Sequence, residues 1–260
     1  MPATPSSNPT TPTAFGAVAP YYDHLMSGVP YRFWIAYVER LWKKHDLAPK
    51  SVLDLACGTG TATRMLQQRG YQTAGVDLSG PMLAIARERA KDEDLAIPFD
   101  EQDAADMDLG DARFDAVISL FDSLNNILED NRLQSAFRRI CAHINPGGSF
   151  IFDLNTEFAL EQGMFNQSCS RRDEPLHYRW RSRYNHETRI CTVNMTFSYD
   201  PGSGERETFK ETHTQKGYAK DEITQWLRNA GFAAVTVYDG YSTDPPRKRS
   251  DRLFYVAVKA

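Results

Sequence analysis

The chain has 260 residues, 41% hydrophobic and 25% charged, with 16 Gly and 14 Pro, so it can bury a core of its own and is neither a disulfide-stapled miniprotein nor a predominantly disordered chain. A formal net charge of −4 gives no global attraction to polyanions, and no apolar run approaches the length needed to cross a bilayer. Cys57, Cys141, Cys169 and Cys191 form no CxxC pair and the six histidines form no HExxH, so neither a metal site nor a disulfide frame is indicated.

Residues 1–13 are rich in Pro, Thr and Ser and lack the basic start and apolar stretch of a secretory signal; the expectation is a disordered tail on a cytoplasmic protein, with the domain proper over 14–260. Phe33, Trp34, Tyr37, Val38, Leu41 and Trp42 recur at helical spacing over 31–45, and Pro49 marks a break. Short apolar strands then alternate with helical patterns: strand 51–56, helix 61–69, strand 71–77, helix 80–90, strands 99–104 and 114–120, helix 129–143 and strand 149–154. Strict alternation implies a parallel sheet with helices on both faces. The pattern changes over 155–218. Tyr178, Trp180 and Tyr184 fall on one face of a period-two run and His177, Arg179, Arg181 and Arg183 on the other, and 190–199 and 205–215 alternate likewise around a turn cluster at 200–204. This predicts a three-stranded antiparallel insert. A helix over 220–230, stopped by Gly231, precedes two last strands at 233–239 and 253–258. The expected fold is α/β: a Rossmann-like, doubly wound, mostly parallel seven-stranded sheet carrying an antiparallel β lid.

The segment from Val52 to Gly60, VLDLACGTG, runs from a strand through a glycine loop into a helix, where a doubly wound sheet opens a ligand crevice. Gly58 and Gly60 permit close backbone approach. The third glycine of the dinucleotide fingerprint is replaced by Thr63. Asp54 at the loop, Asp77 ending the second strand and Asp103 ending the third bring three carboxylates toward one sheet edge. Such a rim repels a pyrophosphate and suits a cation. As capping or surface carboxylates the same three would carry no function.

With DLACGTG, GVDLS (75–79), DAADM (103–107) and FDSLNNI (121–127) in this order, the chain resembles the class I S-adenosylmethionine-dependent methyltransferases, and is most similar to small-molecule members such as glycine N-methyltransferase and the sugar N,N-dimethyltransferases. The resemblance implies S-adenosylmethionine as cofactor and S-adenosylhomocysteine as product. It assigns the wall around the methionine moiety to Asp54, Ala56, Cys57, Gly58 and Gly60, the ribose hydroxyls to Asp77, the adenine to Leu78, Met82, Asp103 and Ala104, and flanking contacts to Leu120 and Phe121. Tyr22, Tyr31 and Trp34 are implied near the sulfonium or the amino-acid end; as part of the apolar helical pattern, Tyr31 and Trp34 equally fit a helix core. Where some sugar methyltransferases place a histidine after the fourth strand, this chain has Asn126, and a proton-accepting role there is lost.

Methyl transfer requires alignment of donor and acceptor and exclusion of water. Tyr21, Asp122, Asn125 and Asn126 are expected around a small-molecule acceptor, with an amine nitrogen as nucleophile; the two asparagines also fit helix caps. Tyr22, Asn126 and His213 are the catalytic candidates. His213, which shares a strand face with Phe209, Glu211 and Gln215, reads as a lid contact or base, or as a satisfied strand histidine. The face of Arg179, Arg181 and Arg183, with Arg171, Arg172 and Arg189 nearby, admits a different reading, an RNA-binding or RNA-methylating surface, although an alternating Arg face is ordinarily solvated. The glycine loop by itself also admits a non-catalytic cofactor-binding module or an NAD-linked oxidoreductase.

Overall fold

Along the chain, helices α1 (Ala19–Leu25) and α2 (Tyr31–Lys44) precede β1 (Ser51–Leu55), α3 (Thr61–Gln68), β2 (Gln72–Asp77), α4 (Gly80–Asp92), β3 (Phe99–Glu101), β4 (Phe114–Ser119), α5 (Asp130–Ala142) and β5 (Ile144–Asn155). There follow α6 (Glu157–Glu161), four strands β6 (Gln167–Cys169), β7 (Leu176–Asn185), β8 (Ile190–Tyr199) and β9 (Glu207–Lys216), then α7 (Lys220–Asn229), β10 (Phe232–Asp239) and β11 (Arg252–Lys259). This computed structural model describes residues 15–171, 174–202 and 204–260, so the expected tail over 1–13 and Arg172 lie outside the described residues.

The central sheet has the order β10-β11-β5-β4-β1-β2-β3. β3, β2, β1, β4 and β5 pair in parallel, while β11 is antiparallel to both β5 and β10. Both faces are covered because successive strand residues point opposite ways. Val52 packs with Ile35, Val38, Leu41 and Trp42 of α2, whereas Leu53 and Leu55 pack with Phe137 and Ile140 of α5 and Leu227 of α7. Each such fully buried Leu or Phe contributes about 1.5–3 kcal/mol of transfer free energy. The chain order reverses between β1 and β4, and there, at the carboxyl ends of the strands, the site lies.

The second sheet, β6-β7-β8-β9, is antiparallel throughout and forms the lid. Its register aligns Tyr178, Phe197 and Phe209, then Trp180, Met195 and Glu211, then Ser182, Val193 and His213, on one face. That face packs with Val18, Ala19, Tyr22 and Met82, so the lid closes over α1 and α4. Arg179, Arg181 and Arg183 are exposed on its other face. Polar contacts fasten the lid to the turn after β4, to β5 and to α5: Asn125 Nδ2 donates to the Lys216 carbonyl (2.8 Å), Asn155 Nδ2 to Gln215 Oε1 (3.0 Å) and Lys216 Nζ to Asp130 (2.7 Å).

Four details differ from the sequence reading. The lid has four strands, because the short, exposed β6, without alternation, pairs with β7 at Cys169–Tyr178. Helix α1 carries only seven residues and no long apolar repeat, and it is ordered by tertiary packing rather than by periodicity. β3 ends at Glu101, so Asp103 lies beyond the strand; its side chain accepts from the Ala105 N–H (2.8 Å), a local turn that competes with the ladder. β5 begins at Ile144 rather than 149, with a register shift against β4 between Phe114 and Ala116. Among the described residues, no helix is long and apolar enough to cross a membrane.

Candidate active site

The loop after β1 carries three consecutive alternations into left-handed backbone, at Ala56 (φ 58°), Gly58 (φ 56°) and Gly60 (φ 72°). Gly60 serves as the N-cap of α3 and faces Ala86 and Phe99, away from the crevice. A Cβ at Gly58 would meet nothing within 4 Å: bare backbone borders open space there. Gly75 of β2 is a packing requirement of this loop, since a Cβ there would lie 2.8 Å from Cys57 Sγ and 2.6 Å from Phe99.

Beside the loop is a cavity of about 530 Å³. Asp54, Asp77 and Asp103 all line it, so the three carboxylates do share one site. Asp54 is 3% exposed and accepts from Thr63 Oγ1 at 2.5 Å; burial pushes its carboxyl up to about 7 despite that hydrogen bond. Asp77 bridges the Gly58 and Ser79 N–H groups, each at 2.8 Å, which ties β2 to the glycine loop. Burial raises its carboxyl too, and the backbone donors offset only part of that rise. Asp103 is paired with Arg132 (2.8 Å), a residue of the cavity wall that the sequence reading does not single out.

Tyr22, Tyr31, Ala56, Cys57, Leu78, Met82, Ala104, Leu120 and Phe121 also line the cavity. Leu78 is 55% exposed at the rim and Met82 is buried. Burial raises the phenols of Tyr22 and Tyr31 above their ordinary value and raises the Cys57 thiol well above its own, leaving no thiolate nucleophile at neutral pH. Trp34 is not in the wall. It stacks behind Phe121, ring centroids 3.8 Å apart, and thereby supports a cavity residue.

On the acceptor side, Asp122, Asn126 and His213 line the cavity, and Tyr21 and Asn125 do not. The Tyr21 hydroxyl donates to Glu207 (2.5 Å) and its ring stacks on Phe209 in the lid. Asn125 is fully buried: Nδ2 donates to the Asn155 and Lys216 carbonyls, and Oδ1 accepts from the Asn155 N–H (3.0 Å). It fastens lid to sheet. Asp122, held in left-handed backbone (φ 49°), accepts from Gln215 Nε2 (2.5 Å) and from Arg252 (2.7 Å), and Arg252 also pairs with the buried Asp153. The lid adds Trp180, Val193, Met195, Phe197 and Gln215 to the wall, and the segment before α1 adds Phe15 and Val18. The period-two pattern signals that the lid residues share a face; nothing local signals that this face meets the glycine loop.

The donor set fits S-adenosylmethionine: carboxylates for a sulfonium, an ammonium and ribose hydroxyls, open backbone at Gly58, and Leu78 and Met82 as apolar surface for a base. Residues 52–148 match the family model described as Methyltransferase domain. The chain is 31% identical over 252 residues, 93% of its length and 98% of the other's, to the dTDP-3-amino-3,4,6-trideoxy-alpha-D-glucopyranose N,N-dimethyltransferase of Streptomyces venezuelae. It is a class I S-adenosylmethionine-dependent methyltransferase of the small-molecule type. Its fold also matches an S-adenosylmethionine-dependent methyltransferase from Clostridium acetobutylicum, with a TM-score of 0.83 at 26% identity, covering 94% of this chain and 98% of that one. The demethylmenaquinone methyltransferase of Thermus thermophilus is 36% identical, but over 143 residues, 53% of this chain and 62% of that protein.

Proposed function

We propose that this methyltransferase transfers the methyl group to an amine nitrogen of a small polar acceptor by in-line displacement. The observation that carries this reading is that the lid brings His213 and Gln215 into the same cavity as Asp54 and Asp77, beside Asp122 and Asn126. Hydrogen-bond acceptors therefore stand where a nucleophile with N–H protons has to be held and relieved of one. A relative matched from end to end, lid included, is named for N,N-dimethylation of an amino sugar.

S-adenosylmethionine, when bound, supplies an electrophilic methyl group on a sulfonium. Asp77 takes the ribose hydroxyls on this reading, Asp103 the adenine amino group, and Ala104, Leu78 and Met82 flank the ring. Asp54 stabilises positive charge at the methionine end. Tyr22 and Asn126 orient the amine, and His213 accepts its proton. Lid residues Trp180, Met195 and Phe197 exclude water, which leaves alignment as the main catalytic contribution of the protein.

Incubation of the purified chain with S-adenosylmethionine and either a dTDP-3-amino-dideoxyglucose or a demethylmenaquinone, followed by mass spectrometry, tests the reading. Methylated amino sugar and unchanged quinone are expected. Methylation of the quinone ring alone overturns the nitrogen assignment.

A further inference from the structure

His213 lies on β9, 7% exposed, and lines the cavity; Glu211, two residues earlier on the same face, does not line it. Glu211 Oε2 sits 2.5 Å from His213 Nε2, and Oε1 accepts the Val18 N–H at 2.8 Å, so the carboxylate is fixed between the lid and the segment entering α1. Phe15 packs its ring against the imidazole, centroids 4.1 Å apart. Burial pushes the Glu211 carboxyl up, but the hydrogen bonds from His213 and the Val18 and Ala17 backbone outweigh it and hold the group below its ordinary range. An ionised carboxylate has no hydrogen to give, so Nε2 carries the hydrogen and the lone pair of the neutral ring is on Nδ1. The other titratable or charged groups sharing the cavity include Tyr22 on α1, Asp54 and Asp77 at the strand ends, Asp122 behind Gln215, and Arg132 on α5. Among the described residues, none of these is hydrogen-bonded to the imidazole, and Glu211 alone sets its tautomer.

We propose that Glu211 is a positioning residue for methyl transfer: anchored on the Val18 N–H, its carboxylate holds the His213 imidazole in the Nε2–H form and presents Nδ1 as the proton acceptor for the incoming amine. This rests on the amine reading above. In the step concerned, an N–H bond of the acceptor ammonium breaks as the Nδ1–H bond forms, and the nitrogen keeps the electron pair with which it attacks. The imidazolium charge is balanced by Glu211 until the proton passes to water.

The test uses the full chain, labelled with 15N-histidine and saturated with S-adenosylhomocysteine, with the ring nitrogens read by NMR at a pH where the imidazole is neutral. The Nε2–H form of His213 is expected to exceed the Nδ1–H form by at least about tenfold, as a charge-assisted bond implies, and the ratio is expected to fall toward that of free histidine in Glu211→Ala. In Glu211→Gln, which keeps the shape, kcat on the dTDP-3-amino sugar is expected to drop by about a hundredfold with KM little changed, the size of a general-base contribution. A wild-type Nδ1–H tautomer, an unchanged ratio in Glu211→Ala, or full kcat in Glu211→Gln overturns the proposal. Should Glu211→Ala not fold, Glu211→Gln carries both measurements. The tautomer measurement needs no acceptor, so a failure to methylate any amine sinks the amine reading while the hold of Glu211 on His213 is still decided.

Discussion

Replacing Asp54 by Asn is expected to make the ligand-free protein more resistant to unfolding at alkaline pH while weakening cofactor binding. The carboxyl is 3% exposed and titrates at about 7 in the folded chain, against an ordinary value of 3.8. Below pH 3.8 it is protonated in both folded and unfolded chains and costs nothing. Between 3.8 and about 7 the unfolded chain releases the proton and the folded chain retains it, so the unfolded state binds fewer protons and stability falls as pH rises. The full loss is about 4 kcal/mol at 1.36 kcal/mol per pKa unit, and about 3 kcal/mol of it falls between pH 5 and pH 8. Asn keeps an acceptor for the Thr63 hydroxyl and carries no charge to desolvate. Urea unfolding of wild type and variant from pH 5 to 8, without ligand, reads the difference directly: the advantage of Asp54→Asn should grow by that amount across the range. Isothermal titration with S-adenosylhomocysteine, whose ammonium group remains cationic, should show weaker binding to the variant. A constant stability difference across the pH range would refute the argument that the buried carboxylate is held at a cost for the sake of a cationic ligand.

Asp77→Ala removes the charged acceptor and leaves the Gly58 and Ser79 N–H groups without their partner; S-adenosylhomocysteine affinity is expected to fall by about 1.5–3 kcal/mol by titration, and an unchanged Kd would count against the ribose assignment. Asn125→Ala, which strips two buried hydrogen bonds to Asn155 of the central sheet and one to the Lys216 carbonyl of the lid, should destabilise the fold by about 2–4 kcal/mol in denaturant while leaving Kd for S-adenosylhomocysteine nearly unaltered. Gly75→Ala places a Cβ against Phe99 and Cys57 and should cost about 1–3 kcal/mol, read as a lowered urea midpoint; no loss would mean that the loop repacks freely.

The cofactor half is legible in the sequence because its signals are local. A strand, a left-handed turn and a helix must follow one another within a dozen residues, and Asp54 and Asp77 are fixed by their places at strand ends. Asp103 reaches the same cavity although β3 stops two residues earlier, since the turn that ends the strand is built by Asp103 itself. The acceptor half reads less well. Asn125 and Asn126 are neighbours of like chemistry, yet one is fully buried as a fastener and the other lines the cavity. Trp34 and Tyr31 share a helix face, yet Phe121 stands between Trp34 and the cavity.

Periodicity and glycine chemistry by themselves determined the alternating sheet and the ligand loop, because each depends on residues close along the chain, and the places of Asp54 and Asp77 at successive strand ends pointed to an acidic rim beside that loop. Only the tertiary structure decided that the lid's inner face roofs that loop, that Arg252 reaches Asp122 and Asp153 from the last strand, and that the Val18 N–H anchors Glu211. A period-two pattern states which side chains share a face. What that face covers is set by packing between segments more than a hundred residues apart, and no local rule encodes it.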